Sequence, residues 1–127
     1  MKEVVDTTDA PAAVGAYSQA TMTDDLLLTA GQLPLTTEGE LLDKAPVGQQ
    51  TRQCLENIEA ILDSAGLEIE SLIKVNVFLN DMADFDDFND AYAEFFSKAP
   101  PARSAIEVAA VPKGAAIEIE AIATRSP

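Results

Sequence analysis

Hydrophobic and polar residues alternate in several short stretches of this chain, and a period of two is the spacing of a β-strand. The strongest alternation covers residues 71–79, where one strongly apolar face is formed by Ile73, Val75, Val77 and Leu79. Such a face predicts a strand in the interior of a sheet. Weaker alternation predicts further strands over residues 2–5, 17–23, 26–30, 103–110 and 116–123.

Two other segments carry apolar residues at helical spacing. Residues 47–65 form one amphipathic pattern, Gly66 stands where a C-terminal cap is common, and Asn57 is predicted to hold neighbouring backbone. A second helix is predicted to begin near Asp84, with acidic residues at the positive end of its dipole. Its aromatic stripe is interpreted as core and consists of Phe85, Phe88, Tyr92, Phe95 and Phe96.

The order of these elements predicts one α+β domain over residues 1–127. We expect one mixed or mainly antiparallel β-sheet with both helices packed on one face. Two helices cannot cover both faces, and Ala105, Ala116 and Ile122 would leave the second face partly apolar. A small domain with such a face usually buries it against copies of itself.

Turn residues at 112–114 separate the last two predicted strands, which are therefore expected to form a hairpin. A turn centred near Lys113 would place four charged residues on one face, opposite a core face formed by Ile106 and Val108. The four are Arg103, Glu107, Glu118 and Glu120. Two interpretations remain open: solvent-exposed cross-strand ion pairs, or an arginine that binds a carboxylate while a glutamate transfers a proton.

The residue types present limit the possible chemistry. The chain has 127 residues, of which 47% are hydrophobic, with one cysteine and no histidine. Cys54 cannot form an intramolecular disulfide and is interpreted as a small buried hydrophobic residue. Histidine is the commonest residue of zinc sites, haem sites and catalytic triads, and this chain has none. Acid–base chemistry must therefore come from carboxylates, tyrosine or water.

Charge and hydropathy also bear on partners and location. No signal peptide is evident, and no window approaches the roughly 20 apolar residues of a membrane span, so we expect a cytoplasmic protein with no membrane partner. The 22 acidic and 8 basic residues give a net charge of −14, which would repel nucleic acid. The same acidity suggests the hypothesis that the protein is adapted to high salt, which screens close carboxylates. A stability that is the same in low and in multimolar salt would contradict this hypothesis.

Several motifs follow one another along essentially the whole chain. They are GAYSQA at 15–20, GQLP at 31–34, QTRQ at 50–53 with Asn57 a turn later, PARS at 101–104, IEV at 106–108, PK at 112–113 and IEIEA at 117–121. In this order they resemble the RidA (YjgF) family of reactive-intermediate imine/enamine deaminases. The resemblance implies a chorismate-mutase-like fold and a homotrimer with ligand clefts between neighbouring subunits.

The resemblance also implies a reaction, namely hydrolysis of 2-aminoacrylate-type enamines or their imine tautomers to 2-keto acids and ammonia, with no metal or organic cofactor. Arg103 would clamp the substrate carboxylate, and Glu118 would orient or deprotonate water, with burial raising its pKa. Tyr17 and the Gly31 backbone would complete the pocket. Glu107 and Glu120 are interpreted as structural.

Three of the site positions also have a purely structural alternative. Tyr17 is either an aromatic residue packed at a strand edge or part of the active-site lining. Gly31 is either a turn or bulge residue or a place where a ligand approaches a backbone N–H. Asn89 is either bonded to backbone at the helix edge or, as the resemblance implies, placed near the ligand.

At several positions this chain differs from the family pattern, and these differences bear on which substrates it would accept. Ala30 stands where the family commonly has serine, and Ala16 replaces the usual proline after Gly15. Ala105, which leaves room for a small ligand beside Arg103, stands where the family often has cysteine, although its backbone carbonyl could still act. The segment before Pro101 is a few residues short.

A second hypothesis comes from another functional class. The protein would be a non-catalytic trimer that binds small carboxylates or other metabolites through Arg103 and acts as a regulator. A ribonuclease activity, as reported for some relatives, is disfavoured by the negative charge and the absence of histidine.

Overall fold

Six strands form one sheet whose two faces have different surroundings. The computed structural model describes residues 1–125. Its strands are β1 (Glu3–Val5), β2 (Ala20–Met22), β3 (Leu26–Thr29), β4 (Leu72–Leu79), β5 (Ala102–Glu107) and β6 (Ile117–Thr124), and its helices are α1 (Val47–Ser64) and α2 (Phe85–Ala93). The strand order is β1-β2-β3-β6-β4-β5, and β4 and β5 are the one parallel pair among these strands. The predicted α+β class with one mixed sheet is confirmed.

Both helices pack on the same face of the sheet, as predicted. Every second residue of β4 and β6 faces them and is almost completely buried: Val75, Val77, Leu79, Ile117, Ile119, Ala121 and Ala123. The same core contains Cys54, Leu55 and Ile58 of α1 and Phe88 and Tyr92 of α2. Burial raises the pKa of the Cys54 thiol well above its ordinary value, which fits the predicted buried hydrophobic residue. This layer supplies the main driving force for folding.

The helix ends agree with the sequence prediction at one helix and differ at the other. Helix α1 ends at Ser64, and Gly66 adopts a φ of 76° in the left-handed region that favours glycine. Helix α2 ends at Ala93, so Phe95 and Phe96 lie beyond it and pack half-buried against the core. Across residues 1–125, no helix has the length and apolar composition needed to cross a bilayer.

The predicted hairpin between the last two strands is wrong. Strand β5 pairs in parallel with β4, and β6 lies on the opposite side of β4, between β4 and β3. A parallel pair requires a crossover connection, and α2 supplies it between β4 and β5. Lys113 and Gly114, with φ of 61° and 76°, do reverse the chain direction. After this turn, β6 does not pair with β5 but lies between β3 and β4 and pairs with both.

This topology separates the four charged residues that were predicted to share a face. Opposed residues in neighbouring strands point to the same face, and Arg103 is opposite the buried Val75. Arg103 and Glu107 therefore belong to the helix-covered face. Glu118 and Glu120 alternate with the buried residues of β6, so they belong to the other face, which we call the open face.

The open face is partly apolar, although not through all of the predicted residues. Its apolar side chains are Leu26, Leu28, Phe78, Ile106 and Ile122. Ile106, predicted to be core, is 50% exposed there, and Val108 is only half-buried. Ala105 lies instead on the helix-covered face, beside Arg103. A bulge between Leu72 and Lys74 also leaves Ile73 exposed rather than on the apolar side of β4.

A buried amide on α1 holds the segment that follows Gly31. Asn57 Nδ2 donates hydrogen bonds to the carbonyl oxygens of Leu33 at 3.2 Å and Leu35 at 2.9 Å. Its Oδ1 accepts a hydrogen bond from Gln53 Nε2 at 2.9 Å. The prediction that Asn57 holds neighbouring backbone is confirmed, and α1 thereby fixes where the Gly31 segment runs.

We expect Asn57→Ala to lower the free energy of unfolding by about 1–3 kcal/mol, because two part-buried carbonyl groups lose their donor. Denaturant unfolding followed by circular dichroism measures the change. The control is Glu59→Ala, since Glu59 is exposed on the same helix and should change stability by less than about 0.5 kcal/mol. Equal losses for the two variants would contradict the structural role of Asn57.

Candidate active site

The Arg103 side chain lies between edge strand β5 and helix α2. Its Nη1 donates a 2.7 Å hydrogen bond to Asn89 Oδ1. Its Cζ lies 4.8 Å from the ring centroid of Tyr92, 5.2 Å from that of Phe88 and 5.6 Å from that of Phe85, distances at which a cation is attracted to an aromatic face. The guanidinium is therefore half-buried and held in place by one helix.

No carboxylate neutralises this guanidinium in the part of the chain that the structure describes. Between residues 1 and 125 the only salt bridge joins Arg52 to Glu94 at 2.9 Å on the surface. Arg103 has no carboxylate partner among the described residues, although the chain contains 22 acidic residues. A guanidinium has five N–H donors in a planar fork that matches a carboxylate. Arg103 is thus available to an anionic ligand.

Glu118 lies on the open face, directly against Gly31. A Cβ atom at Gly31 would come within 2.8 Å of Glu118 Cδ and 2.9 Å of Glu118 Oε2, closer than such atoms normally approach. Gly31 has no positive φ, so glycine is needed here for close approach and not for backbone conformation. The Gly31 N–H donates no hydrogen bond to any residue in the range 1–125, which leaves it available beside the carboxylate.

Two causes raise the pKa of Glu118 above the ordinary range of a glutamate. Burial is the larger, because a half-buried carboxylate loses part of its hydration, and the negative charge of Glu120 is the second. Glu120 itself is held by Asn76, whose Nδ2 donates to Glu120 Oε2 at 3.1 Å. Glu118 accepts no hydrogen bond from residues 1–125, so its oxygens can bind water or a ligand.

A cleft of about 260 Å³ opens beside these two carboxylates. It is lined by Phe78, Val108, Ala110, Val111, Pro112, Glu118 and Glu120. The mixture of apolar walls and one unpaired carboxylate suits a small, partly apolar molecule. A groove of about 490 Å³ lies elsewhere, but its walls carry five carboxylates, Glu56, Glu59, Asp63, Glu68 and Glu70, which would repel an anion.

The remaining predicted residues have the following positions. Tyr17 lies in the loop before β2 instead of in a strand, is 54% exposed, and accepts a 3.3 Å hydrogen bond from the Val14 N–H. Its loop runs beside Gly31, because the Ala30 N–H donates to the Gln19 carbonyl at 2.8 Å. Glu107 Oε1 accepts a hydrogen bond from the Met82 N–H at 2.8 Å, as expected of a structural residue.

The site residues thus form two groups on opposite faces of one sheet. The first, which we call the arginine half-site, consists of Arg103, Asn89 and Ala105. The second, the glutamate half-site, consists of Glu118 and Gly31, with Tyr17 on the adjacent loop. Strands β5 and β6 are separated by β4, a spacing of roughly 10 Å, and the side chains point in opposite directions. The two half-sites therefore cannot meet around one small ligand within a single chain.

The aromatic residues of α2 contact Arg103, which the sequence did not predict. Phe85, Phe88 and Tyr92 were interpreted only as core, although all three ring faces lie within 6 Å of the guanidinium. Their spacing shows that they share a helix face. It does not show that β5 lies against that face, because this depends on the parallel pairing of β4 with β5.

The chain is similar to known proteins along nearly its whole length. The family model described as Endoribonuclease L-PSP matches residues 7–125. A RutC family protein of Pyrococcus horikoshii is 49% identical over 123 residues, which cover 97% of this chain and 98% of that protein. A 2-iminobutanoate/2-iminopropanoate deaminase of Bos taurus is 40% identical over 127 residues, which cover 100% of this chain and 93% of that protein.

Solved structures share the fold at similar sequence identity. The crystal structure of the YjgF gene product from E. coli has a TM-score of 0.93 and 41% identity, and it covers 98% of this chain and 99% of that chain. The crystal structure of E. coli TdcF with bound serine has a TM-score of 0.93 and 40% identity, with the same coverage.

We expect Gly31→Ala to lower the pKa of Glu118, because the added methyl group occupies the space of its carboxyl group and displaces it toward solvent. Carbon-13 NMR titration of the Glu118 carboxyl group measures the shift. Gly48→Ala is the matched control, since a Cβ there meets its nearest neighbour at an ordinary 3.7 Å. A Glu118 pKa that is the same in Gly31→Ala and the unmodified protein would contradict the close packing.

Proposed function

Because this chain belongs to the RidA (YjgF) family, we propose that it hydrolyses 2-aminoacrylate-type enamines and their imine tautomers to 2-keto acids and ammonia. Mammalian relatives about 40% identical to it are named 2-iminobutanoate/2-iminopropanoate deaminases. The family also includes proteins with other names, so the reaction rests on the site as well as on the relatives.

The observation that supports the proposal most strongly is the unpaired Arg103 guanidinium. An imino or enamino acid carries a carboxylate one bond from its reactive carbon, so a two-pronged hydrogen bond to Arg103 would fix that carbon in space. The relative TdcF, with serine bound, shows that a family member can hold an amino-acid-sized molecule. Asn89 would keep the guanidinium oriented, and Ala105 would leave room beside it.

The proposed reaction needs only water as a second reactant and no metal or organic cofactor. An enamine first takes a proton on its terminal carbon and loses one from its nitrogen, which gives the imine. Water then adds to the imine carbon, and Glu118 accepts one of its protons and passes it to the nitrogen, which gives a carbinolamine. Transfer of the remaining hydroxyl proton to the nitrogen breaks the carbon–nitrogen bond and releases the 2-keto acid and ammonia. A raised pKa helps Glu118 both accept and return the proton near neutral pH. Gly31 N–H and Tyr17 would complete the pocket.

We further propose that the arginine half-site of one subunit meets the glutamate half-site of a neighbour in a homotrimer. Two observations support this assembly. The half-sites lie on opposite faces of the sheet, and the open face carries apolar side chains that a single chain leaves exposed, including Leu28 and Ile106 at 41% and 50% exposure. A cleft closed by a second subunit would also exclude water around the charged groups.

A non-catalytic carboxylate-binding regulator is the alternative function. The arginine half-site alone would be enough for this function, because carboxylate binding needs a guanidinium but no proton transfer. Ala30 and Ala105, which replace the serine and cysteine common in the family, remove side chains that could act on substrate or water. Turnover decides between the two functions, because a regulator would bind keto acid through Arg103 without producing it.

We expect Arg103→Ala to reduce kcat/KM about 10- to 100-fold, the equivalent of losing a charged hydrogen bond. The imino acid is generated in situ from an amino acid by an oxidase, and keto-acid release is followed against time. Arg103→Lys should recover only part of the rate because it keeps the charge but loses the planar fork. Arg52→Ala is the control, since Glu94 already pairs that guanidinium. Equal rates for Arg103→Ala and the unmodified protein would end the enzyme proposal.

We expect Arg103→Ala and Glu118→Gln proteins, each of strongly reduced activity, to recover activity when they are unfolded together and refolded as a mixture. If each cleft takes one half-site from each of two subunits, random mixing makes about a quarter of the clefts fully intact. The same two proteins mixed without unfolding are the control. A refolded mixture no more active than its components would contradict a cleft shared between subunits.

A further inference from the structure

One face of helix α2 surrounds the Arg103 guanidinium almost without polar contact. Phe85, Phe88 and Tyr92 are spaced three and four residues apart and present their rings to Arg103 Cζ at 5.6, 5.2 and 4.8 Å. Asn89, four residues after Phe85, adds the one hydrogen bond to this side chain in residues 1–125. A single helical face thus provides this hydrogen bond and all three ring contacts to the guanidinium.

The rings also pack against one another, so their positions are not independent. Phe85 meets Phe88 edge-on with centroids 5.6 Å apart, and Phe88 meets Tyr92 at 5.5 Å. Phe88 and Tyr92 are almost fully buried, whereas Phe85 is half-buried. The three rings therefore form one packed surface beneath the guanidinium, and Phe88 and Tyr92 join it to the core.

We propose that Phe85, Phe88 and Tyr92 are positioning residues that hold the Arg103 guanidinium in one orientation while leaving its positive charge free for a substrate carboxylate. This inference rests on the proposed function of the same site. A carboxylate in their place would orient the guanidinium equally well, but it would compete with the substrate for the same N–H donors. Aromatic faces attract the cation without occupying those donors.

The chemistry of Tyr92 fits this role. Its hydroxyl is buried and has no hydrogen-bond partner among residues 1–125. Burial raises the pKa of Tyr92 to about 12, although the neighbouring Arg103 acts in the opposite direction. The phenol therefore stays neutral at physiological pH and contributes no negative charge beside the guanidinium. The ring, and not the hydroxyl, is the part of Tyr92 that the inference requires.

The test compares variants that remove a ring over Arg103 with one that removes a neighbouring ring. Phe85→Leu and Tyr92→Leu each remove one ring from the surface beneath the guanidinium, and Tyr92→Phe keeps the ring without the hydroxyl. Phe96→Leu is the matched control, because its ring stacks on Tyr92 at 4.7 Å but is not one of the rings over Arg103. Pyruvate binding is measured by calorimetry, and KM, kcat and the thermal midpoint are measured separately.

We expect Phe85→Leu and Tyr92→Leu to raise KM and the pyruvate Kd about 3- to 10-fold with a smaller change in kcat. Tyr92→Phe should match the unmodified protein in both constants. Phe96→Leu should lower the thermal midpoint while leaving KM and Kd unchanged. Should Phe85→Leu, which alters only a half-buried ring, bind pyruvate as tightly as the unmodified protein, the inference is wrong. It is also wrong if Phe96→Leu weakens binding as much as Tyr92→Leu.

Pyruvate binding keeps this test separate from the proposed reaction. If the protein binds pyruvate through Arg103 but releases no keto acid from an imine, the proposed deamination fails, and the ring variants still decide the inference through Kd. If turnover is observed and the ring variants leave KM unchanged, the deamination stands and the inference fails.

Discussion

The positive charge of Arg103 is held by aromatic faces and one amide, and the rest of the candidate site depends on this arrangement. It requires α2 to lie over β5, which in turn requires α2 to be the crossover between the parallel strands β4 and β5. The core packing of Phe88 and Tyr92 fixes the helix against the sheet. Core packing and the proposed anion recognition therefore use the same side chains.

The two-residue period of β-strands explains why the site is divided. Arg103 and Glu118 lie on strands of one sheet but belong to opposite faces, so no rotation of side chains brings them together in one chain. A functional centre that needs both must form between chains. The apolar residues left on the open face provide a reason for chains to associate there. The proposed homotrimer would account for both the divided site and the uncovered face.

Local sequence patterns predicted most elements because these depend on neighbouring residues. The spacing of apolar residues in α1, the glycine after its end and the alternation in β4 all describe short-range geometry, and the structure agrees. The hairpin prediction was wrong because it, too, used only short-range information. A turn at Lys113 and Gly114 reverses the chain but does not select the strand that β6 will pair with, and here β4 and β3 are its partners. The predicted grouping of Arg103 with Glu118 failed with the hairpin.

The sequence by itself determined the α+β class, the family, and the residue types able to bind an anion or move a proton. Only the tertiary structure decided that Arg103 faces the helices, that Glu118 rests against Gly31, and that three rings of α2 surround the guanidinium. The physical reason is that propensity and periodicity act over a few residues along the chain. Strand order and the contacts between α2 and β5 arise from packing between segments that are distant in sequence.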